Sequence, residues 1–126
     1  MTTPIDLNAM DEASFINLLI QIESSGDDNA IGDNGRAFGP LQITQPALDD
    51  INNSFLTNYI LKDVLGNRPL SISIFKKYME KWATEKRLER PVTNEDRARI
   101  WNGGPNGWKR KATLVYWEKC RKEKPL

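Results

Sequence analysis

Glu23 is the residue in this chain best placed to do acid chemistry. It closes an amphipathic run, in Ile22-Glu23-Ser24-Ser25-Gly26, just before the turn-rich stretch Asp27-Asp28-Asn29-Ala30-Ile31-Gly32-Asp33-Asn34-Gly35. A helix C-terminus is a poor place for negative charge, because the helix dipole is already negative there. Beside Ile22 the carboxyl can also be partly withdrawn from water, which favours its protonated form. A carboxyl kept protonated near neutrality is what a general acid for glycosidic cleavage requires. Retaining glycosidases add a second carboxyl about 5–5.5 Å from the first. Asp33 can fold back to that position. Asp27 and Asp28 compete for it, and all three aspartates equally suit plain turns. The plain alternative for Glu23 itself is a solvated glutamate at a helix end.

Two further stretches can line a site. Gly39-Pro40-Leu41-Gln42-Ile43 is a tight turn entering an apolar segment, with Gln42 able to bond a sugar or orient a carboxylate. Trp101-Asn102-Gly103-Gly104-Pro105-Asn106-Gly107-Trp108 ends a helix in a glycine-rich loop. Glycine lets a backbone approach a ligand, Asn102 can donate and accept, and Trp108 can stack on a sugar face. Each stretch also reads simply as a loop with a satisfied polar group and a core tryptophan.

Other chemistries are narrowed by what the chain contains. It has no histidine and one cysteine, Cys120, among 126 residues. Imidazole acid–base chemistry, Ser-His and Cys-His pairs, histidine-based metal sites and an intramolecular disulfide are therefore outside its reach. No metal or cofactor is expected, and Cys120 reads as buried and inert. No apolar run approaches the roughly 20 residues of a membrane span. The N-terminus lacks the basic and apolar regions of a signal peptide. Charge is uneven: nine acidic residues and one basic precede Leu61, and eight acidic and seventeen basic follow from there. Either the halves pack and compensate, or a basic face steers the protein to an anionic polymer. No nucleic-acid-binding motif is recognisable, and no nucleic-acid partner is expected.

The elements that must position these residues follow from periodicity and caps. Residues 1–10 read as a lead-in. Asp11 caps a helix with Phe15, Leu18, Leu19 and Ile22 on one face, stopping near Gly26. Asp33-Asn34-Gly35 is a turn, with short strands around 30–31 and 38–43. Thr44 caps a helix with Pro46 in its first turn, running toward Tyr59. Ser71 or Ser73 caps a helix that continues to Arg90 before Pro91. Thr93 caps the next, with Glu95 and Asp96 suited to its dipole. A last helix starts near Thr113 and frays into a basic tail over 121–126. The class is α+β and predominantly α-helical, with a small β-turn or hairpin region after the first helix. The length predicts one domain over 1–126 and a monomer.

Taken together and in order, these motifs resemble a known family. Ile22-Glu23-Ser24-Ser25-Gly26 with Gly39-Pro40-Leu41-Gln42-Ile43 resembles the catalytic region of lysozyme-like glycosidases. The run from Arg97 through Asn102-Gly103-Gly104-Pro105-Asn106-Gly107, with Thr113 and Tyr116-Trp117-Glu118-Lys119, resembles invertebrate-type (destabilase) lysozymes. Lytic transglycosylases share the earlier motifs more loosely. The resemblance spans about Ile22 to Lys119. It implies a lysozyme-like fold, Glu23 as the acid and Asp33 as the second carboxylate, in a turn shorter than the family's. The residues themselves add expected substrate contacts at Ser24, Gln42, Asn102, Gly103, Gly104 and Trp108, and the expected partner is peptidoglycan or a related polysaccharide. The family is disulfide-rich and this chain is not, and the helix over 71–90 departs from its pattern. Both differences point to a bacterial or phage relative, delivered to the cell wall or periplasm by a phage or secretion route. The isopeptidase activity of some members depends on a Ser-His arrangement and does not carry over.

The expected function is therefore a muramidase cutting β-1,4 bonds in peptidoglycan. The alternatives are a lytic transglycosylase using Glu23 alone, and a catalytically silent glycan-binding or virion module.

Overall fold

The protein is described from a computed structural model covering residues 5–123. Parts of the expected lead-in and basic tail lie outside the described residues. The rest of the lead-in is structural. Asp6 caps a single 3-10 turn, Leu7–Ala9, and Leu7 is buried in the core. Asn94 donates from Nδ2 to the carbonyls of Leu7 (2.8 Å) and Met10 (3.2 Å), fastening this turn to a helix far along the chain. At the other end, Arg121 and Lys122 are the last turn of a helix and not a frayed tail.

Among the described residues the main elements are six α-helices and a three-stranded sheet. The helix α1 (Glu12–Ser24) starts where expected, with the Asp11 carboxylate accepting from Ser14 N–H. Its Phe15, Ile16, Leu18, Leu19 and Ile20 are all buried. The helix ends at Ser25 in a left-handed conformation, with Gly26 just beyond it also at positive φ. The strands β1 (Ile31–Gly32), β2 (Ala37–Phe38) and β3 (Ile43–Thr44) pair antiparallel in chain order. Each is only two residues long, so the sheet is a bent ribbon that carries the Asp33-Asn34-Gly35 turn at one end.

The helix α2 (Gln45–Phe55) stops short of Tyr59, because Leu56 turns left-handed. The helix predicted over 71–90 is two helices. The first, α3 (Arg68–Trp82), begins three residues earlier than Ser71, with Asn67 as its cap and Pro69 in its first turn. Pro69 is thus an initiator, as suits a residue with fixed φ and no N–H to satisfy. The chain breaks at Ala83, and α4 (Glu85–Leu88) is a single turn capped by Thr84. The helix α5 (Asn94–Gly103) has a full capping box between Thr93 and Asp96. Arg90 adds a two-pronged ion pair to Asp96 at 2.7 Å per contact. Burial alone would raise the Asp96 carboxyl, but the Arg90 and Thr93 bonds outweigh it and hold it below its ordinary value. The last helix is α6 (Leu114–Lys122).

One apolar core joins α1, α2, α3, α5 and α6, with Leu19, Ile20, Leu41, Leu48, Ile51, Ile74, Ile100 and Cys120 almost fully buried. The acidic first half and the basic second half are also tied by ion pairs: Asp28–Arg68, Asp50–Lys81 and Glu12–Lys76. Among the described residues no helix is long and apolar enough to cross a membrane.

The junction of α5 and α6 depends on Arg99, which is nine-tenths buried. It donates to Thr113 Oγ1 (2.8 Å), Glu95 Oε2 (2.8 Å) and the Arg110 carbonyl (2.9 Å). The Thr113 hydroxyl in turn donates to the Gly107 carbonyl at 2.7 Å. Replacing that hydroxyl by methyl leaves the buried Arg99 Nε–H without its partner and takes one of two hydrogen bonds from the Gly107 carbonyl, which keeps the Arg110 N–H. Thr113→Val should therefore lower stability by about 2 kcal/mol in denaturant unfolding. A loss below a few tenths would show that the network is dispensable.

Candidate active site

A cleft of about 550 Å³ is lined by residues of the sheet, α2, α3 and α5, by Glu23 near the end of α1 and by the loop after α5. Glu23, Asp33, Gln42, Asn102 and Gly104 all line it. Residues from four separate stretches, singled out by type and spacing, are thus brought to one surface.

Glu23 occupies the penultimate position of α1, which fixes its backbone one turn beyond the fully buried Leu19 and Ile20. Its side chain meets α6. The Tyr116 hydroxyl donates to Glu23 Oε2 at 3.1 Å, across 93 residues of sequence. Burial is the strongest influence on the carboxyl and lifts it from an ordinary 4.5 to about 7. The Tyr116 bond and the Lys119 charge act against burial without cancelling it. Tyr116 is itself buried and its ionisation is pushed far up, first by burial and then by the neighbouring Glu23. Cys120, one turn further on, is fully buried, and its thiol is pushed up to about 12 by burial and by Glu23. Of Glu23, Tyr116 and Cys120, Glu23 is the one whose charge changes near neutrality.

Asp33 lines the same cleft from the sheet turn, in a left-handed conformation with φ of 51°. Its side chain is 58% exposed and pairs with Arg36 at 3.2 Å. Gln42 also has positive φ. Its Nε2 donates to the carbonyls of Gly39 (3.0 Å) and Ala30 (3.3 Å), bracing the sheet from inside. A side chain at Gly32 would put its Cβ 2.3 Å from Gln42 Oε1, so only glycine lets this brace lie flat beside Asp33.

Ser24, Gly103 and Trp108 are placed elsewhere. The Ser24 hydroxyl donates back to the Ile20 carbonyl within its own helix. A Cβ at Gly103 would lie 2.4 Å from Thr113 Cγ2, and one at Gly107 only 2.0 Å from the Arg99 carbonyl. At these two glycines the close approach is to the protein's own chain. Gly104 differs: its φ is 87°, open space surrounds its Cα, and it faces the cleft. The Trp108 ring lies under Arg90 and Lys109, with both cations 5.5 Å from its centre.

Among the lining residues not anticipated in this role are Trp101, Tyr78 and Asp50. Trp101 donates from its indole N–H to the Leu41 carbonyl at 3.1 Å and packs edge-on against Phe75 and Tyr78. It forms an aromatic wall together with Tyr78. Asp50 accepts from the Trp82 indole at 2.6 Å and from Lys81 at 2.5 Å. The signals in sequence were faint: Trp101 and Tyr78 sit in apolar helical stripes that read as core, and Asp50 reads as a surface helix position. Among the described residues no group of three or more His, Cys, Asp or Glu side chains is arranged to hold a metal.

The raised carboxyl has a consequence for stability. A Glu that binds its proton more tightly folded than unfolded makes the native state less stable as pH rises from about 4.5 to about 7. Glu23→Gln removes that loss. Its thermal stability relative to wild type should therefore grow across this window and level off above it, with an advantage of up to about 3 kcal/mol. Parallel stability curves for the two proteins would contradict burial as the cause.

No protein-family model and no curated protein sequence matches the chain. Solved structures do. The chain is similar to Tapes japonica lysozyme, with a TM-score of 0.72, 28% identity, and coverage of 86% of this chain and 87% of that one. It is also similar to a chain of the complex between Aeromonas hydrophila PliI and Meretrix lusoria lysozyme, with a TM-score of 0.71, 24% identity and 85% coverage of each. The second shows likeness of fold alone. The architecture, mostly helical with a small antiparallel sheet, is the invertebrate-type lysozyme fold.

Proposed function

We propose that the protein is a glycoside hydrolase that cleaves β-1,4 bonds between N-acetylmuramic acid and N-acetylglucosamine in peptidoglycan. The observation that carries this reading is a glutamate with its carboxyl raised to about 7, opening into a cleft of the invertebrate-type lysozyme fold. At neutral pH a large share of Glu23 is protonated. It gives that proton to the glycosidic oxygen as the bond from that oxygen to the anomeric carbon breaks. The oxocarbenium-like centre left behind is stabilised or attacked by Asp33, which lines the same cleft. The Glu23 carboxylate then takes a proton from the incoming water, which restores the acid. Gln42, Asn102 and the Gly104 backbone supply hydrogen-bonding groups for the sugars, and the faces of Trp101 and Tyr78 supply apolar contact. The reaction needs no cofactor.

One feature favours a second reading. Asp33 is more than half exposed and already paired with Arg36, a weaker station for a nucleophile than a sheltered carboxylate. If Glu23 acts alone as acid and then as base, the enzyme is a lytic transglycosylase. Its products end in an anhydro sugar. Hydrolysis leaves a reducing end.

Digestion of purified peptidoglycan followed by mass spectrometry separates these outcomes. Wild type should release reducing-end muropeptides. Glu23→Gln should fold normally and lose at least about a thousandfold in rate. Asp33→Asn should lose most hydrolysis; unchanged turnover by this variant with anhydro products would move the assignment to transglycosylase. Wall binding without turnover by wild type would leave only a glycan-binding module.

A further inference from the structure

We propose that Tyr116 is the positioning residue of the acid: by holding Glu23 Oε2 it assigns proton delivery to Oε1, and its hydrogen bond strengthens as the carboxylate forms. This rests on Glu23 being the acid proposed above. The geometry is simple. A carboxyl has two oxygens, and one of them is already occupied by the Tyr116 hydroxyl at 3.1 Å. Tyr116 is buried on α6 and has no other side-chain acceptor among the described residues than Glu23. The oxygen left unengaged is Oε1, and it is the one available to carry the mobile proton.

The energetic consequence follows from charge. A phenol donating to a neutral carboxyl makes an ordinary hydrogen bond, whereas donation to a carboxylate is roughly twice as strong. During bond cleavage the proton leaves Oε1 for the glycosidic oxygen, the electron pair of the breaking bond goes to that oxygen, and negative charge gathers on Glu23. The Tyr116 bond therefore tightens toward the transition state, which is the kind of interaction that raises kcat without tightening substrate binding. It also keeps burial from making the acid too weak. Burial without the hydroxyl would raise the carboxyl further still.

Tyr116 suits this task because it remains a neutral donor throughout the working range, its own ionisation being pushed far up. The other groups around Glu23 are Lys119 and Cys120 on the same face of α6, Asp33 on the sheet turn, Asp50 on α2 and Tyr78 on α3. Lys119 acts in the same direction as Tyr116 but only through its charge. None of the others donates a hydrogen bond to the Glu23 carboxyl.

The test compares wild type with Tyr116→Phe and with 3,5-difluorotyrosine placed at 116, which keeps the ring and strengthens the donor. Two readouts are needed. The first is the carbon-13 titration of the Glu23 carboxyl, which requires no substrate. The Phe variant should titrate above wild type, and the difluorotyrosine protein below it. The second is the pH profile of peptidoglycan cleavage. The Phe variant should lose about ten- to a hundredfold in kcat with KM unchanged, and its alkaline limb should move up with the carboxyl. A merely structural tyrosine would lower thermal stability and leave both the titration and the limb in place, which would overturn the proposal. If wild type cleaves no glycan, the functional reading fails by itself, and the two carboxyl titrations still decide whether Tyr116 controls Glu23.

Discussion

The structure depends on closing α6 over the end of α1. Without α6, Glu23 would be a solvated carboxylate at a helix C-terminus. With α6 in place the carboxyl is withdrawn from water, and its one hydrogen-bonding side-chain partner is a neutral hydroxyl. Among the described residues no cation pairs with it to repay the loss of hydration; Lys119 acts through its charge without a hydrogen bond. A buried carboxyl under those conditions keeps its proton to higher pH. The folded state gives up stability at neutral pH to hold it, which is the usual relation between a reactive group and the scaffold around it.

Much of the remaining architecture serves to keep that helix where it is. The Arg99 side chain joins α5 to the loop ahead of α6 through Thr113 and the Arg110 carbonyl. The glycines at 103 and 107 allow this packing, because a Cβ at either would overlap Thr113 or the Arg99 carbonyl. In the sheet, the Gln42 amide bonds the Ala30 and Gly39 carbonyls, beside Gly32 and the turn that carries Asp33. Trp101 connects the two halves: its indole bonds the Leu41 carbonyl beside Gln42, while its ring packs on Tyr78 of α3. Cleft shape and acid environment thus come from the same set of helix junctions.

The main helices and their caps were legible in sequence, because Asp11 and Thr93 act locally and the apolar period of α1 is strong. The start of α3 was less legible: the expected cap was Ser71 or Ser73, whereas the helix begins behind Asn67 with Pro69 in its first turn. The strands are two residues long, too short for an alternating pattern to show. Within the cleft, Glu23, Asp33, Gln42, Asn102 and Gly104 could be picked out by residue type and motif order. Trp101, Tyr78 and Asp50 could not, since an aromatic in a helical stripe looks the same whether it meets the core or a cleft. The Gly103-Gly104 pair shows a related ambiguity. Sequence says that a backbone must come close to something, and only the fold tells whether that something is Thr113 or open space. The Tyr116 contact with Glu23 spans 93 residues, and no local pattern encodes it.

The central claim is that burial at the α1–α6 junction turns Glu23 into an acid that works near neutrality. The most direct measurement follows the Glu23 carboxyl by carbon-13 labelling in the wild-type protein while the pH dependence of peptidoglycan cleavage is recorded on the same sample. The account predicts one ionisation near pH 7, with the alkaline fall in cleavage following it. A carboxyl that titrates near its ordinary value of 4.5, or a rate profile indifferent to its ionisation, would contradict it.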